Sequence, residues 1–326
     1  MSGRPIRAAI LGCGSIARRH CEAFQTNGIP VVAVADTSPE AARTLAKLAG
    51  PGTAVHPSAE TLFNAGGFEL LSICTPPLFH AEAAVRALER NLHVLCEKPL
   101  AANIADARQI EKAASRSSGL LMVAFRHRFL DSTERIRSLL AEGVLGDVIL
   151  FRNEFHSSLI PTPGSWFFQR RIAGGGCLID TGSHSIDLFR HLFGEITGVE
   201  AVLKRRLPAT DVEDSAVLLV RNRAGVAGVL ASSFGSAGRA EIEITGRLGR
   251  LHYEYGGEIR LECPAANRHE TIVPEPGNGF AAEVAAFLQA IAAGTPPPVS
   301  SFDGVRVQEI IDASYQSVRH IGEAIS

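Results

Sequence analysis

Up to about residue 125 the chain alternates between two textures. Short unbroken apolar runs stand at Ile6–Leu11, Val31–Ala35, Leu70–Ile73, Leu92–Cys96 and Leu120–Val123. Stretches rich in Ala, Leu, Glu and Arg with helical period lie between most of them, as at Ala81–Arg90 and Ala105–Arg116. Strands that lack polar alternation are buried on both faces, so the pattern predicts a parallel, doubly wound sheet between helices. From Asp147 alternation takes over. In "AEIEIT", Ala240, Ile242 and Ile244 are expected to face one way and Glu241 and Glu243 the other. Runs at Val148–Phe155, Val199–Leu207, Ser215–Val220 and Val226–Ser232, joined by short Gly-containing turns, predict a mostly antiparallel sheet with an apolar face. Helical patterns at Cys177–Leu192, Phe280–Ala293 and Phe302–Ala324 are expected to cover it, with "GTPPPVSS" as a loop between the last two. The predicted class is α/β. A doubly wound parallel domain occupies residues 1–125, and an α+β domain with a large, mostly antiparallel sheet occupies 126–326. The last helix is free to pack back toward the first domain.

The 326 residues suffice for two such domains. A hydrophobic share of 46% and a charged share of 20% are ordinary for a globular protein. The formal net charge is −2 and no basic block stands out, which argues against nucleic acid or an anionic membrane as the main partner. No apolar run is long enough to span a bilayer, and the N-terminus enters a strand without a separate signal region. The six cysteines, at 13, 21, 74, 96, 177 and 263, form no C-x-x-C pair. They read as small core residues of a reducing compartment, so a cytoplasmic location is the default.

The first strand runs into "LGCGSIARRH". Gly12, Gly14 and Ala17 have the spacing of a dinucleotide fingerprint, with Ser15 and Ile16 at the start of the helix. The first glycine permits the turn, the second lets backbone approach a pyrophosphate, and the third small residue allows close helix–strand packing. The second strand ends in Asp36, whose carboxylate can accept ribose hydroxyls and would repel a 2′-phosphate. Thr37 and Ser38 offer no cation. NAD is therefore expected, although Arg43 on the next helix keeps NADP open. Asp36 has a second reading as a turn or N-cap residue before "TSPEAA".

At "VLCEKPLA" an apolar run ends in Glu97, Lys98 and Pro99. Alone, this is a strand end with a solvated charge pair and a breaker. In company with "GCGSIA", "CTPPLFH" and "GGGCLIDTGSHSIDLFRHLFG" it means more. Together these motifs, in this order, resemble the Gfo/Idh/MocA oxidoreductase family, the relatives of glucose–fructose oxidoreductase and inositol dehydrogenase. The resemblance covers nearly the whole chain. It implies an NAD(P)-dependent dehydrogenase acting on a secondary alcohol of a sugar, cyclitol or related polyol. Glu97 would contact the nicotinamide ribose, and Lys98 would point at the reacting hydroxyl. Asp180 and His184, four apart, would share a helix face with Asp187 three further on. His184 is the natural base, because an unperturbed imidazole titrates near neutrality. Lys98 would supply charge beside the developing alkoxide, and Asp180 would orient His184 or the substrate. The triple glycine Gly174–Gly176 would let backbone approach a ligand. D-x3-H-x2-D also has metal-ligand types, and a capped helix with a half-buried His–Asp pair is a further alternative. No metal is expected.

Further contacts are read partly from the resemblance and partly from the residues themselves. Thr75, Pro76 and Pro77 would line the adenine or pyrophosphate side, where prolines also suit a helix start. His80 falls in the cofactor-binding set. Both His80 and His20 also read as packing residues. In "AFRHRFLD", Arg126, His127 or Arg128 would reach substrate, or the segment is a charged hinge. Trp166 and Phe167 would cap a sugar ring, with Arg170 or Arg171 binding an anionic group, or they pack at a subunit interface. A homodimer or homotetramer held through the C-terminal sheet is expected. The rival readings are a nucleotide-dependent sensor without turnover and a redox-neutral NAD-dependent glycoside hydrolase. Both catalytic-type residues, Lys98 and His184, are retained, which speaks against the sensor.

Overall fold

The computed structural model describes residues 6–160, 162, 164–208 and 210–318. Two compact units divide the chain. One holds it up to Phe129 together with Asn278–Arg306, and the other holds Leu130–Gly277 and the chain from Val307 on.

In the first unit β1 (Ala8–Leu11), β2 (Val31–Ala35), β3 (Ala54–His56), β4 (Leu70–Ile73), β5 (His93–Glu97) and β6 (Leu121–Ala124) form one sheet. Its order is β3-β2-β1-β4-β5-β6 and every pairing is parallel. The intervening helices are α1 (Ser15–Thr26), α2 (Pro39–Ala49), α3 (Ala59–Ala65), α4 (His80–Leu88) and α5 (Ile104–Ala114). Every residue of β1, β4 and β6 is buried, as their unbroken apolar runs require. α2 starts where local chemistry dictates: Ser38 accepts the Ala41 N–H and Pro39 occupies the first turn. The strand order reverses between β1 and β4, the kind of switch point beyond whose strand carboxyl ends open α/β sheets bind ligands.

The chain continues with α6 (Asp131–Ala141), β7 (Val148–His156), α7 (Arg170–Ala173), α8 (Ser183–Phe193), β8 (Ile196–Lys204), β9 (Ser215–Asn222) and β10 (Ala227–Ser233). β11 (Arg239–Gly246), β12 (Arg250–Glu254), β13 (Ile259–Cys263), β14 (Arg268–Ile272), α9 (Phe280–Ala293) and α10 (Ser301–Gln316) complete it. Eight strands form the second sheet in the order β14-β13-β12-β11-β7-β10-β9-β8, antiparallel except where β10 pairs with β7. One face is core: Phe151, Leu218, Leu230, Ile242, Ile244 and Leu251 are buried. α8 lies on it, with the Phe189 and Phe193 rings 5.9 and 5.3 Å from that of Phe151. Val202, Val217 and Leu219 on β8 and β9 are exposed. Register sets Leu219 in one row with Val229, Arg152, Glu243 and His252, so this outer face changes from aliphatic to ionic across the sheet.

Two expectations change. Glu241 does face away from Ile242, but it is buried, covered by Arg239 and by His252 at 3.2 Å. The helix over Phe280–Ala293, expected on the antiparallel sheet, belongs to the first unit and packs on α1. Asn27 Nδ2 donates to the Ala281 carbonyl at 3.0 Å, and the Phe280 ring lies tilted against that of His20. Periodicity defines an apolar face without naming the sheet it meets. Residues 319–326 of the expected final helix lie outside the described residues. Among the described residues no helix is long and apolar enough to cross a membrane.

Candidate active site

The dinucleotide end of the first unit is built from two loops. Gly12 has φ +87°, and a Cβ there would lie 2.6 Å from the Cys74 carbonyl carbon, so the loop after β1 runs against the loop after β4. A Cβ on Gly14 would meet nothing within 4 Å. Gly14 is also the N-cap of α1, whose first turn carries no acidic residue and whose cap makes no side-chain hydrogen bond. The amides at Ser15 and Ile16 and the positive end of the helix are thus left uncompensated by the helix's own side chains. That is the donor set a pyrophosphate needs. Asp36 fills the turn reading, and its place beside the glycine loop is compatible with the other. Its Oδ1 accepts the Ser38 N–H at 2.7 Å as a turn residue, and its Oδ2 accepts the Cys13 N–H of the glycine loop at 2.6 Å. The carboxylate keeps lone pairs for ribose hydroxyls.

The loop after β4 holds Thr75, whose Oγ1 is buried without a hydrogen-bond partner, followed by half-buried Pro76 and buried Pro77. An orphaned hydroxyl beside the glycine loop fits a site made for a bound dinucleotide. His80 is 1% exposed, and its ring nitrogens lie 3.0 Å from the Pro99 carbonyl and 2.8 Å from the Thr75 carbonyl. Burial lowers its pKa, so the neutral ring donates to one carbonyl at a time. Its place is between the loop after β4 and the residues that follow β5, as a brace.

Glu97 ends β5 and is buried. His20 Nε2 lies 2.9 Å from its Oε1, and the Lys98 N–H donates to its Oε2 at 3.0 Å. Burial alone would raise the Glu97 pKa, but His20, Lys98 and the Lys98 amide hold it below the usual value. The Lys98–Pro99 peptide is cis. His127 is buried, and burial together with the charges of Arg126 and Lys98 holds its pKa well below the ordinary imidazole value. Arg126 donates to the Asn278 carbonyl at 2.9 Å and lies over the Phe280 ring; Arg128 pairs with Asp303 at 3.0 Å. These contacts tie residues 126–129 to the 278–306 segment of the same unit.

In the second unit Leu178–Gly182 winds as a π-helix directly ahead of α8, an irregularity often found at functional sites. Asp180 sits in it, half-buried, and His184 is 8% exposed in the first turn of α8. The His184 ring lies 6.1 Å from that of Phe155, which in turn lies 5.0 Å from Tyr255. Asp187 is 1% exposed. Two of the three glycines ahead of this helix are required by the protein's own packing. A Cβ on Gly175 would lie 1.9 Å from the Tyr315 hydroxyl, and one on Gly176 1.8 Å from the Glu213 carbonyl oxygen. Glu213 Oε1 accepts from the Gly176 and Leu178 amides at 2.9 and 3.1 Å and from Tyr315 at 3.0 Å. Burial pushes the Glu213 pKa up, against these donors. Glu213 and Tyr315 were not singled out from the sequence. The one available signal was an acid pair, Glu213–Asp214, set directly before an alternating strand. Trp166 stacks on Phe167 at 3.8 Å, Arg170 lies over the Tyr315 ring at 4.6 Å, and Arg171 is exposed. Among the described residues no group of three or more His, Cys, Asp or Glu is placed to hold a metal ion.

A parallel sheet in the order 3-2-1-4-5-6 with an uncapped, glycine-led first helix defines a dinucleotide-binding protein. Residues 6–125 match the family model described as an oxidoreductase family with an NAD-binding Rossmann fold, and residues 133–252 match the GFO/IDH/MocA C-terminal domain. The chain therefore belongs to the Gfo/Idh/MocA family and is an NAD-binding oxidoreductase. It is 26% identical to a levoglucosan dehydrogenase of Pseudarthrobacter phenanthrenivorans, over 96% of both chains. It is also 26% identical to an inositol 2-dehydrogenase of Rhizobium meliloti, over 96% of this chain and 97% of that protein. A solved levoglucosan dehydrogenase, in complex with NADH and levoglucosan, superposes with a TM-score of 0.88 at 25% identity, covering 96% of this chain and 97% of that one.

Titration with NADH and NADPH checks the part given to Asp36. The unaltered protein is expected to bind NADH more tightly. Asp36→Ala should weaken NADH by roughly ten- to a hundredfold, the worth of hydrogen bonds to a charged group, and narrow the gap. Tighter binding of NADPH by the unaltered protein would contradict it.

Proposed function

We propose that the protein oxidises a secondary hydroxyl of a sugar, cyclitol or related polyol, or reduces the corresponding ketone. The observation that carries this reading is similarity along nearly the whole chain to levoglucosan and inositol dehydrogenases. Lys98 after β5 and the Asp180–His184 pair give it suitable chemical groups. Bound NAD supplies the hydride acceptor. The glycine loop and α1 hold its pyrophosphate through Gly12, Gly14, Ser15 and Ile16, and Asp36 holds a ribose. Thr75, Pro76 and Glu97 complete the cradle, with His80 bracing it. His184 takes the hydroxyl proton as general base. Lys98 presents its ammonium group to the oxygen as negative charge builds there. Asp180 orients His184 or the substrate. Arg126, Trp166 and Arg171 are the proposed substrate contacts outside this core. All six cysteines are free and buried, which fits a cytoplasmic protein.

The exposed aliphatic residues Val202, Val217 and Leu219 support a homo-oligomer formed through the outer face of the second sheet.

Lys98→Ala should leave NAD affinity nearly unchanged and lower turnover by about a hundredfold or more, because the charge matters most in the transition state. His184→Asn should flatten the pH–rate profile near neutrality. Normal turnover in the first variant, or an unchanged profile in the second, would reject the corresponding role. Light scattering should give the mass of a dimer or tetramer at working concentrations; a monomer mass throughout would reject the assembly.

A further inference from the structure

His20 and Glu97 form a buried pair to which the proposed reaction gives only one task, at the cofactor ribose. His20 is 1% exposed and Glu97 7%. His20 belongs to α1, directly after the glycine loop, and Glu97 to the end of β5. The imidazole is held on both edges, with Nε2 at 2.9 Å from Glu97 Oε1 and Nδ1 at 2.8 Å from Ser72 Oγ on β4. The Phe280 ring closes one side, its centroid 5.7 Å from that of His20. Burying two charges gains little stability even when they are paired, so the arrangement is better understood by what it holds in place.

What it holds is backbone. The last rung between β5 and β6 joins Glu97 to Ala124. Lys98 lies one residue past that rung, and Pro99 has no N–H to offer a neighbour. The sheet therefore does not fix the peptide at Lys98. The Glu97 carboxylate does, by accepting the Lys98 N–H at 3.0 Å through the oxygen that His20 leaves unused. On the far side the Pro99 carbonyl is held by His80 at 3.0 Å. His20 anchors the other oxygen of Glu97 in the same arrangement.

We infer that His20 is a positioning residue that acts through Glu97 to fix the backbone at Lys98, and hence the direction of the lysine side chain. Its bearing on turnover rests on the role proposed above for Lys98; its bearing on geometry does not.

Two substitutions separate positioning from packing. His20→Gln keeps a nitrogen near the reach of Nε2, toward Glu97. His20→Asn keeps one near the reach of Nδ1, toward Ser72, and loses the Glu97 link. Both remove the ring, so a packing role would be damaged by either. NADH fluorescence titration first establishes that each variant is folded. Competitive acetylation of the cofactor-free protein with acetic anhydride, read by peptide mass mapping, then compares Lys98 with the exposed Lys47 and Lys112. The relative reactivity of Lys98 is expected to change about three- to tenfold in His20→Asn, the worth of one net hydrogen bond, and to stay near the original in His20→Gln. No change in the Asn variant, or equal change in both, overturns the inference. If His20→Asn does not bind NADH, Glu97→Gln tests the same link: altered Lys98 reactivity supports it and unaltered reactivity overturns it. With a polyol that the unaltered protein oxidises, His20→Asn should slow turnover with little change in KM, and should add little in a Lys98→Ala background. Normal turnover in Lys98→Ala alone would remove the role of Lys98 in the reaction, while the acetylation result would still decide whether His20 positions it.

Discussion

A buried carboxylate, Glu97, is the constraint around which the first unit is arranged. An isolated buried charge is too costly to persist, so it must be met by partners of fixed geometry. Here they come from three places at once: a histidine of the helix that follows the glycine loop, the amide of the next residue, and the ammonium charge of that same residue. The His20 pKa is raised well above its ordinary value, since Cys74 and Glu97 outweigh the opposing effect of burial, and that of Glu97 is lowered. Both shifts favour a charged, mutually held pair. Its consequence is that the segment expected to carry the reaction's positive charge is tied to the segment expected to carry the cofactor's phosphates.

The second unit repeats the device with different parts. Glu213 accepts the amides that open the Asp180 segment, and Gly175 and Gly176 are small because Tyr315 and Glu213 already occupy the space a side chain would take. A buried carboxylate thus anchors backbone beside Lys98 and just ahead of Asp180. In neither case does a regular element do so: Lys98 lies beyond its strand, and Asp180 lies in a π-wound turn. Lys98 has left the ladder of backbone hydrogen bonds and another acceptor replaces it there, whereas His184 projects from a regular helix.

What the sequence could reveal follows from the range of the interactions involved. The parallel sheet was legible because doubly buried strands are uniformly apolar, and the glycine loop because its spacing is local. The strands β3, β12, β13 and β14 were missed; they are short, and "RHETI" at Arg268–Ile272 has no apolar alternation to betray it. The partner of α9 was misjudged because an apolar helix face does not say what covers it. The reason for Gly175 and Gly176 was out of reach, since the groups that crowd them come from Glu213 and Tyr315, far along the chain. Glu97 and Lys98 could be noticed but not explained, because His20 stands 77 residues before Glu97.

The central claim is that the protein moves a hydride between NAD and a secondary alcohol of a polyol. The direct measurement is the absorbance of reduced nicotinamide while the unaltered protein is incubated with NAD and a panel of sugars, anhydrosugars and cyclitols. Sustained formation of NADH is expected with at least one member that bears a secondary ring hydroxyl. Tight binding of NADH without turnover of any member, and without oxidation of NADH by the matching ketones, would contradict it and leave a nucleotide-binding sensor as the better description.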